Sequence, residues 1–95
     1  MSAQEAAVEL PVENEHGLHL RPAADFVRLA ARYRSRISVT NLSRGGGRQA
    51  NARSLLEVTG LGVDRGHSIR VSAAGEDAQE AVGALAELIR SNFGA

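Results

Sequence analysis

Apolar and polar positions alternate at the start of this chain, shift to a helical period, and return to alternation three more times before a last helical stretch. Val8, Leu10 and Val12 lie two apart with Glu9 and Glu13 interleaved, which predicts a strand with one wet face. Pro11 has no N–H to offer a sheet ladder, so this strand belongs at an edge. From Pro22 to about Tyr33 the period lengthens: Ala23, Phe26, Val27 and Ala30 form an apolar stripe, and Asp25, Arg28 and Arg32 a polar one, which predicts a helix. Proline is favoured at the first helical position, so the helix is expected to start at Pro22, with Asp25 in its first turn, where negative charge is favoured. Arg36 to Leu42 alternates again, Ile37 and Val39 on one side and Ser38 and Thr40 on the other, and Arg48 to Ala52 predicts a short strand with Ala50 and Ala52 inward. Ser54 and Glu57 have the spacing of a capping box opening a short helix that carries Val58 and Leu61 and is stopped by Gly60 and Gly62. His67 to Ala73 alternates through Ile69, Val71 and Ala73; then Asp77 and Glu80 repeat the capping spacing. They precede a long stripe of Ala78, Ala81, Val82, Leu85, Leu88 and Ile89, with Gly94 as its expected terminus.

The order is strand, helix, strand, strand, helix, strand, helix. Each strand has one apolar face, so the three helices are expected on one side of a mostly antiparallel four-stranded sheet, its other side left wet. This is an α+β open-faced sandwich with the order βαββαβα. Residues 1–95 form one domain, with 1–6 expected as a flexible N-terminus, and nothing in the pattern repeats or reads as a linker.

Composition narrows the picture. At 95 residues roughly 60–65% of the unfolded surface can be buried, enough for one modest core without staples. Two phenylalanines, one tyrosine and no tryptophan make that core aliphatic. Cysteine is absent, which removes disulfides and thiolate metal sites and favours a cytoplasmic location. The first seven residues lack the basic start and apolar run of a signal peptide, and no later run approaches a membrane span. All eleven basic residues are arginine, balanced by eleven acidic ones; a formal charge of zero argues against nucleic acid or an anionic membrane as partner. The Arg44-Gly45-Gly46-Gly47 stretch is a single arginine–glycine repeat without interleaved aromatics, and it reads as a flexible turn.

The candidate chemistry is concentrated in Gly17-Leu18-His19-Leu20-Arg21-Pro22-Ala23-Ala24. A histidine just ahead of a helix start stands beside unpaired backbone N–H groups and a partial positive charge, surroundings suited to an anion such as phosphate. A neutral imidazole nitrogen is a competent nucleophile, and the planar fork of Arg21 matches phosphate oxygens. His16 and His19 are three apart, but Gly17 between them and the lack of companion acidic or cysteine ligands count against a metal pair. His67 opens a predicted strand and is taken as a structural or surface residue. No nucleophile–base triad, paired carboxylates or nucleotide-cradling glycine loop accompanies these residues. A phosphate-accepting group without apparatus for a nucleotide or a sugar fits a carrier better than an enzyme, and no cofactor is expected.

With these residues in place the chain resembles the HPr family, the histidine-containing phosphocarriers of the bacterial phosphoenolpyruvate-dependent sugar phosphotransferase system. The resemblance spans the whole domain and is carried by Gly17 to Ala23, by Asn51-Ala52-Arg53-Ser54-Leu55, and by Leu61-Gly62 with Gly66. It implies that His19 is phosphorylated on Nδ1 by enzyme I and hands the group to a histidine of an enzyme IIA protein, with Arg21 steadying it. It implies that Ser54 matches the serine modified by an ATP-dependent serine kinase/phosphatase in relatives, although capping alone also accounts for a serine there. Partner docking is expected on Leu20, Leu55, Leu56 and Thr59, ringed by Arg28 and Arg53, on a monomer.

Three departures stand out. Leu20 follows the histidine where relatives often carry a small residue or threonine, Glu57 replaces a glycine or lysine, and the glycine loop is longer than the usual tight turn. A nitrogen-type or purely regulatory paralogue is the alternative within the family. A non-phosphorylated module binding RNA or protein through the wet sheet face or the glycine loop is the alternative outside it.

Overall fold

The alternation in the first strand is realised in a computed structural model that describes residues 4–45 and 47–94. Strand β1, Glu5–Pro11, buries Leu10 and half-buries Ala6 and Val8, while Glu5, Ala7 and Glu9 face out. It pairs antiparallel with β4, Ser68–Ala74, in the register Val8↔Val71. Strand β2, Arg36–Asn41, lies on the other side of β4 and pairs in turn with the three-residue β3, Gln49–Asn51. The sheet order is β1-β4-β2-β3, antiparallel throughout, so Pro11 does lie on an edge strand. Glu5 and Ala6, part of the N-terminus expected as flexible over 1–6, pair with Ala74 and Ala73; residues 1–3 lie outside the described residues.

Three helices complete the order: α1, Leu20–Ala30, α2, Leu55–Gly60, and α3, Ala78–Arg90. Helix α1 buries Ala23, Phe26 and Ala30, and α3 buries Ala78, Ala81, Val82, Leu85, Ala86 and Ile89. These residues meet Leu10, Ile37, Val39, Ile69, Val71 and Ala73 from the inner sheet face in one core that is aliphatic apart from Phe26. The outer face stays polar, with the cross-strand partners Glu9 and Arg70 forming an ion pair at 3.2 Å. The fold is the α+β open-faced sandwich that the pattern predicts. Among the described residues no helix is long and apolar enough to cross a membrane.

Several boundaries differ from the sequence expectation. Helix α1 starts two residues before Pro22, which places the proline at its third position and Asp25 beyond the first turn. The first turn tolerates this because its N–H groups have no intrahelical acceptor and the carbonyl four residues back belongs to Leu18, outside the helix. Helix α3 ends at Arg90, short of Gly94, and Leu88 is only half-buried, with Ala86 in the core in its place. The loop after β2 opens with a 3₁₀ turn, Leu42–Arg44, capped by the Asn41 side chain; Gly46 lies outside the described residues.

The two expected capping boxes also divide. Ser54 caps α2, its Oγ accepting the Glu57 N–H at 3.1 Å, but the Glu57 carboxylate accepts from Asn51 N–H at 2.9 Å rather than from Ser54. Asp77 precedes α3 without capping it. Its carboxylate accepts from Arg34 N–H at 2.9 Å, Ser35 N–H at 3.0 Å and Ser35 O–H at 2.5 Å, which pins the α1–β2 connection to the start of α3.

Candidate functional site

The site is built by two loops that one glycine lets approach. Gly17 has φ +56, and a Cβ on it would lie 2.2 Å from the Val63 carbonyl oxygen and 2.9 Å from Asp64 Cα. Only glycine fits so close a crossing of two backbones in a left-handed conformation. Leu18 N–H then donates to Val63 O at 2.9 Å, and Asn14 fixes the turn by donating from Nδ2 to Gly17 O at 2.8 Å. Leu18 is fully buried and anchors the segment.

His19 follows as the N-cap residue of α1, its backbone extended (φ −75, ψ −173) and its carbonyl accepting the Ala23 N–H at 2.9 Å. Its imidazole does not cap the helix. It turns to Asp64, with Nε2 and Oδ1 2.7 Å apart, and the two side chains are 58% and 56% exposed, open to a partner on either side. Among the described residues Nδ1 of His19 has no hydrogen-bond partner, and the N–H groups of Leu20 and Arg21, at the first two helical positions, have none either. Arg21 is exposed, and its guanidinium forms no ion pair among the described residues. A free imidazole nitrogen, two free N–H groups and a free guanidinium therefore share one helix end, where a negatively charged group is favoured.

Asp64 is the residue that sequence reasoning misses. The hydrogen bond from His19 holds its carboxyl below the usual carboxylate range, and Arg44 nearby adds to this. Its backbone N–H donates to Nδ1 of His67 at 3.0 Å, and His67 N–H returns to Asp64 O at 3.0 Å. Asn41 Nδ2 lies 3.2 Å from the same His67 nitrogen. His67 is thus a structural residue, as expected, but one that supports the site rather than standing apart from it.

The other expected site residues fall on or near the faces of α1 and α2, which pack against each other. Among the described residues Leu20 and Leu56 are the most exposed large apolar side chains, at 67% and 83%, and Leu55 is 36% exposed. The Thr59 hydroxyl donates back to Leu55 O at 2.8 Å, while its oxygen keeps its lone pairs as acceptors. Arg28 pairs with Asp25 at 2.5 Å. The Arg53 guanidinium donates to the carbonyl of Tyr33 in the α1–β2 connection.

Comparison with known proteins reads the same way. Residues 6–91 match the family model described as the PTS HPr component phosphorylation site. The chain is 46% identical over 88 residues to the multiphosphoryl transfer protein of Salmonella typhimurium, covering 93% of this chain but only 23% of that longer protein. It is 44% identical over 82 residues to the phosphocarrier protein HPr of Haemophilus influenzae, covering 86% of this chain and 89% of that one. Among solved structures, HPr-C-His from Thermoanaerobacter tengcongensis superposes with a TM-score of 0.88 at 39% identity, covering 95% of this chain and 97% of that one. An exposed histidine at the N-cap position of α1, in a fold and sequence matched nearly end to end, places the chain in the HPr family of phosphocarrier proteins of the phosphotransferase system.

Proposed function

We propose that this protein carries a phosphoryl group on Nδ1 of His19, taking it from phosphorylated enzyme I and passing it to a histidine of an enzyme IIA protein in cytoplasmic sugar uptake. The observation that carries this reading is the combination at His19: one ring nitrogen engaged by Asp64, the other free, beside the free N–H groups of Leu20 and Arg21. The Nδ1 lone pair attacks phosphorus as the bond to the donor nitrogen breaks, and Arg21 neutralises charge on the phosphoryl oxygens. A helix end contributes about 0.3–1 kcal/mol to holding an anion at an exposed site. Such modest stabilisation suits a carrier, which must release what it accepts, and no turnover of its own is expected.

Leu20, Leu55 and Leu56 supply the apolar docking face in this reading, with Arg21 and Arg28 steering encounter with acidic partners. Ser54 is the proposed regulatory position: a phosphate there adds about −1.5 to −2 charge beside that face, in a first turn already occupied by Glu57. Incubation with phosphoenolpyruvate and enzyme I should yield an acid-labile phosphate on the wild-type protein and none on His19→Ala. Equal labelling of both proteins would overturn the assignment.

A further inference from the structure

Asp64 lies 45 residues from His19 in sequence and 2.7 Å from it in the fold, and the contact decides which ring nitrogen has a lone pair to give. An ionised carboxylate only accepts hydrogen bonds. The proton between the two groups therefore belongs to Nε2 of His19, and the neutral ring must present its lone pair at Nδ1. Asp64 is itself held from behind. Its N–H donates to His67 Nδ1, its carbonyl accepts from His67 N–H, and Asn41 Nδ2 lies 3.2 Å from the same ring nitrogen.

We infer that Asp64, held by His67, is the positioning residue that sets His19 in the Nε2-protonated form and stabilises the imidazolium created when Nδ1 receives a phosphoryl group. This rests on His19 being the acceptor, as proposed above. The transfer balances without moving a proton. The Nδ1 lone pair forms the bond to phosphorus, and the donor's N–P bond breaks with its electron pair returning to the donor ring. Nε2 keeps its hydrogen, so the His19 ring becomes positively charged opposite the Asp64 carboxylate. In the onward step the Nδ1–P bond breaks, its electrons return to the ring, and His19 leaves as the neutral imidazole from which it started. Asp64 thus lowers the barrier to loading while keeping a good leaving group for unloading. Arg21 acts on the phosphoryl oxygens instead, so the two residues divide the site between ring and phosphate.

The test compares wild type, Asp64→Asn and His19→Ala in two measurements. Nitrogen-15 NMR of the free protein reads the His19 tautomer without any partner: Nε2–H should dominate in wild type and give way to a mixture in Asp64→Asn. Rapid-quench phosphorylation by phosphorylated enzyme I should be slowed about tenfold in Asp64→Asn, the lower end of the effect of partners that orient a ligating histidine, because this pair is exposed. Circular dichroism melts should match wild type, since exposed ion pairs contribute little to stability. An unchanged tautomer in Asp64→Asn, or an unchanged loading rate, would overturn the inference. Loading that survives in His19→Ala would instead overturn the carrier assignment, while the tautomer spectra of the free protein would still decide the role of Asp64.

Discussion

Replacing Gly17 with alanine separates two physical effects that usually arrive together. The first is conformational: at φ +56 an L-residue loses about 1–2 kcal/mol relative to the right-handed region. The second is steric, because the new methyl would stand 2.2 Å from the Val63 carbonyl oxygen and 2.9 Å from Asp64 Cα, backbone atoms that cannot swing aside as a side-chain tip does. The 63–64 segment must retreat and give up the 2.9 Å bond from Leu18 N–H to Val63 O, a further loss of about 0.5–1.5 kcal/mol. Together they predict a destabilisation of about 1.5–3.5 kcal/mol, or a fall in Tm of roughly 6–28 °C for a domain of this size. Gly45 supplies the control, since at φ +91 a Cβ there would meet nothing within 4 Å among the described residues, and Gly45→Ala should show only the first effect. Circular dichroism melts of wild type and both variants make the measurement. Equal losses at the two positions would refute the view that a close crossing of backbones, rather than backbone conformation alone, requires glycine at position 17.

Ser54→Ala removes the side-chain acceptor that caps α2 and should lower stability by about 1 kcal/mol in urea unfolding. Leu56→Ala, at a side chain 83% exposed, should shift stability by less than about 0.5 kcal/mol while weakening enzyme I binding measured by calorimetry; a large loss of stability with unchanged binding would place Leu56 in the core instead. The three donors from Ser35 and Arg34 hold the Asp77 carboxyl below its usual range. The unfolded chain therefore binds more protons between the two pKa values, so this stabilisation is complete above the usual value of about 3.9 and is lost as pH falls through the lower, folded one. Asp77→Asn, which cannot ionise, should lower the neutral plateau of the stability–pH curve and flatten its acid limb, so that the two proteins converge at low pH, as urea unfolding at a series of pH values would record.

Period alone made most of the architecture readable. The stripes on α1 and α3 and the alternation in β1, β2 and β4 reflect burial on one face, and burial leaves the same trace in sequence whatever the tertiary partner. Boundaries are less legible: any of the first helical positions accepts a proline, so Pro22 marked the turn but not its first residue. Capping residues were readable as types but not in their aim. Ser54 bonds locally as its spacing suggests, whereas Asp77 spends its carboxylate on Arg34 and Ser35, about 42 residues away. The same holds at the site, where His19 and Arg21 announce themselves by spacing to the helix start. Asp64 is one acidic residue among eleven, and only the crossing at Gly17 turns it toward His19. Arg53 shows the converse, a basic residue at a plausible rim position whose guanidinium is committed to the Tyr33 carbonyl.

The sheet order β1-β4-β2-β3 also determines when the site comes into being. β1 and β2 are not paired with each other; β4, whose residues follow α2 in the chain, pairs with both and joins them. Pairings between such distant segments form late because loop closure must precede the contacts that reward it. During synthesis, then, His19 emerges early but meets Asp64 only after the loop leading into β4 has been made and has docked beside the segment 12–18. A half-finished chain exposes the histidine without its partner, so on this account competence to load a phosphoryl group on Nδ1 is a property that matures with the completed sheet and serves as a chemical report that folding has finished.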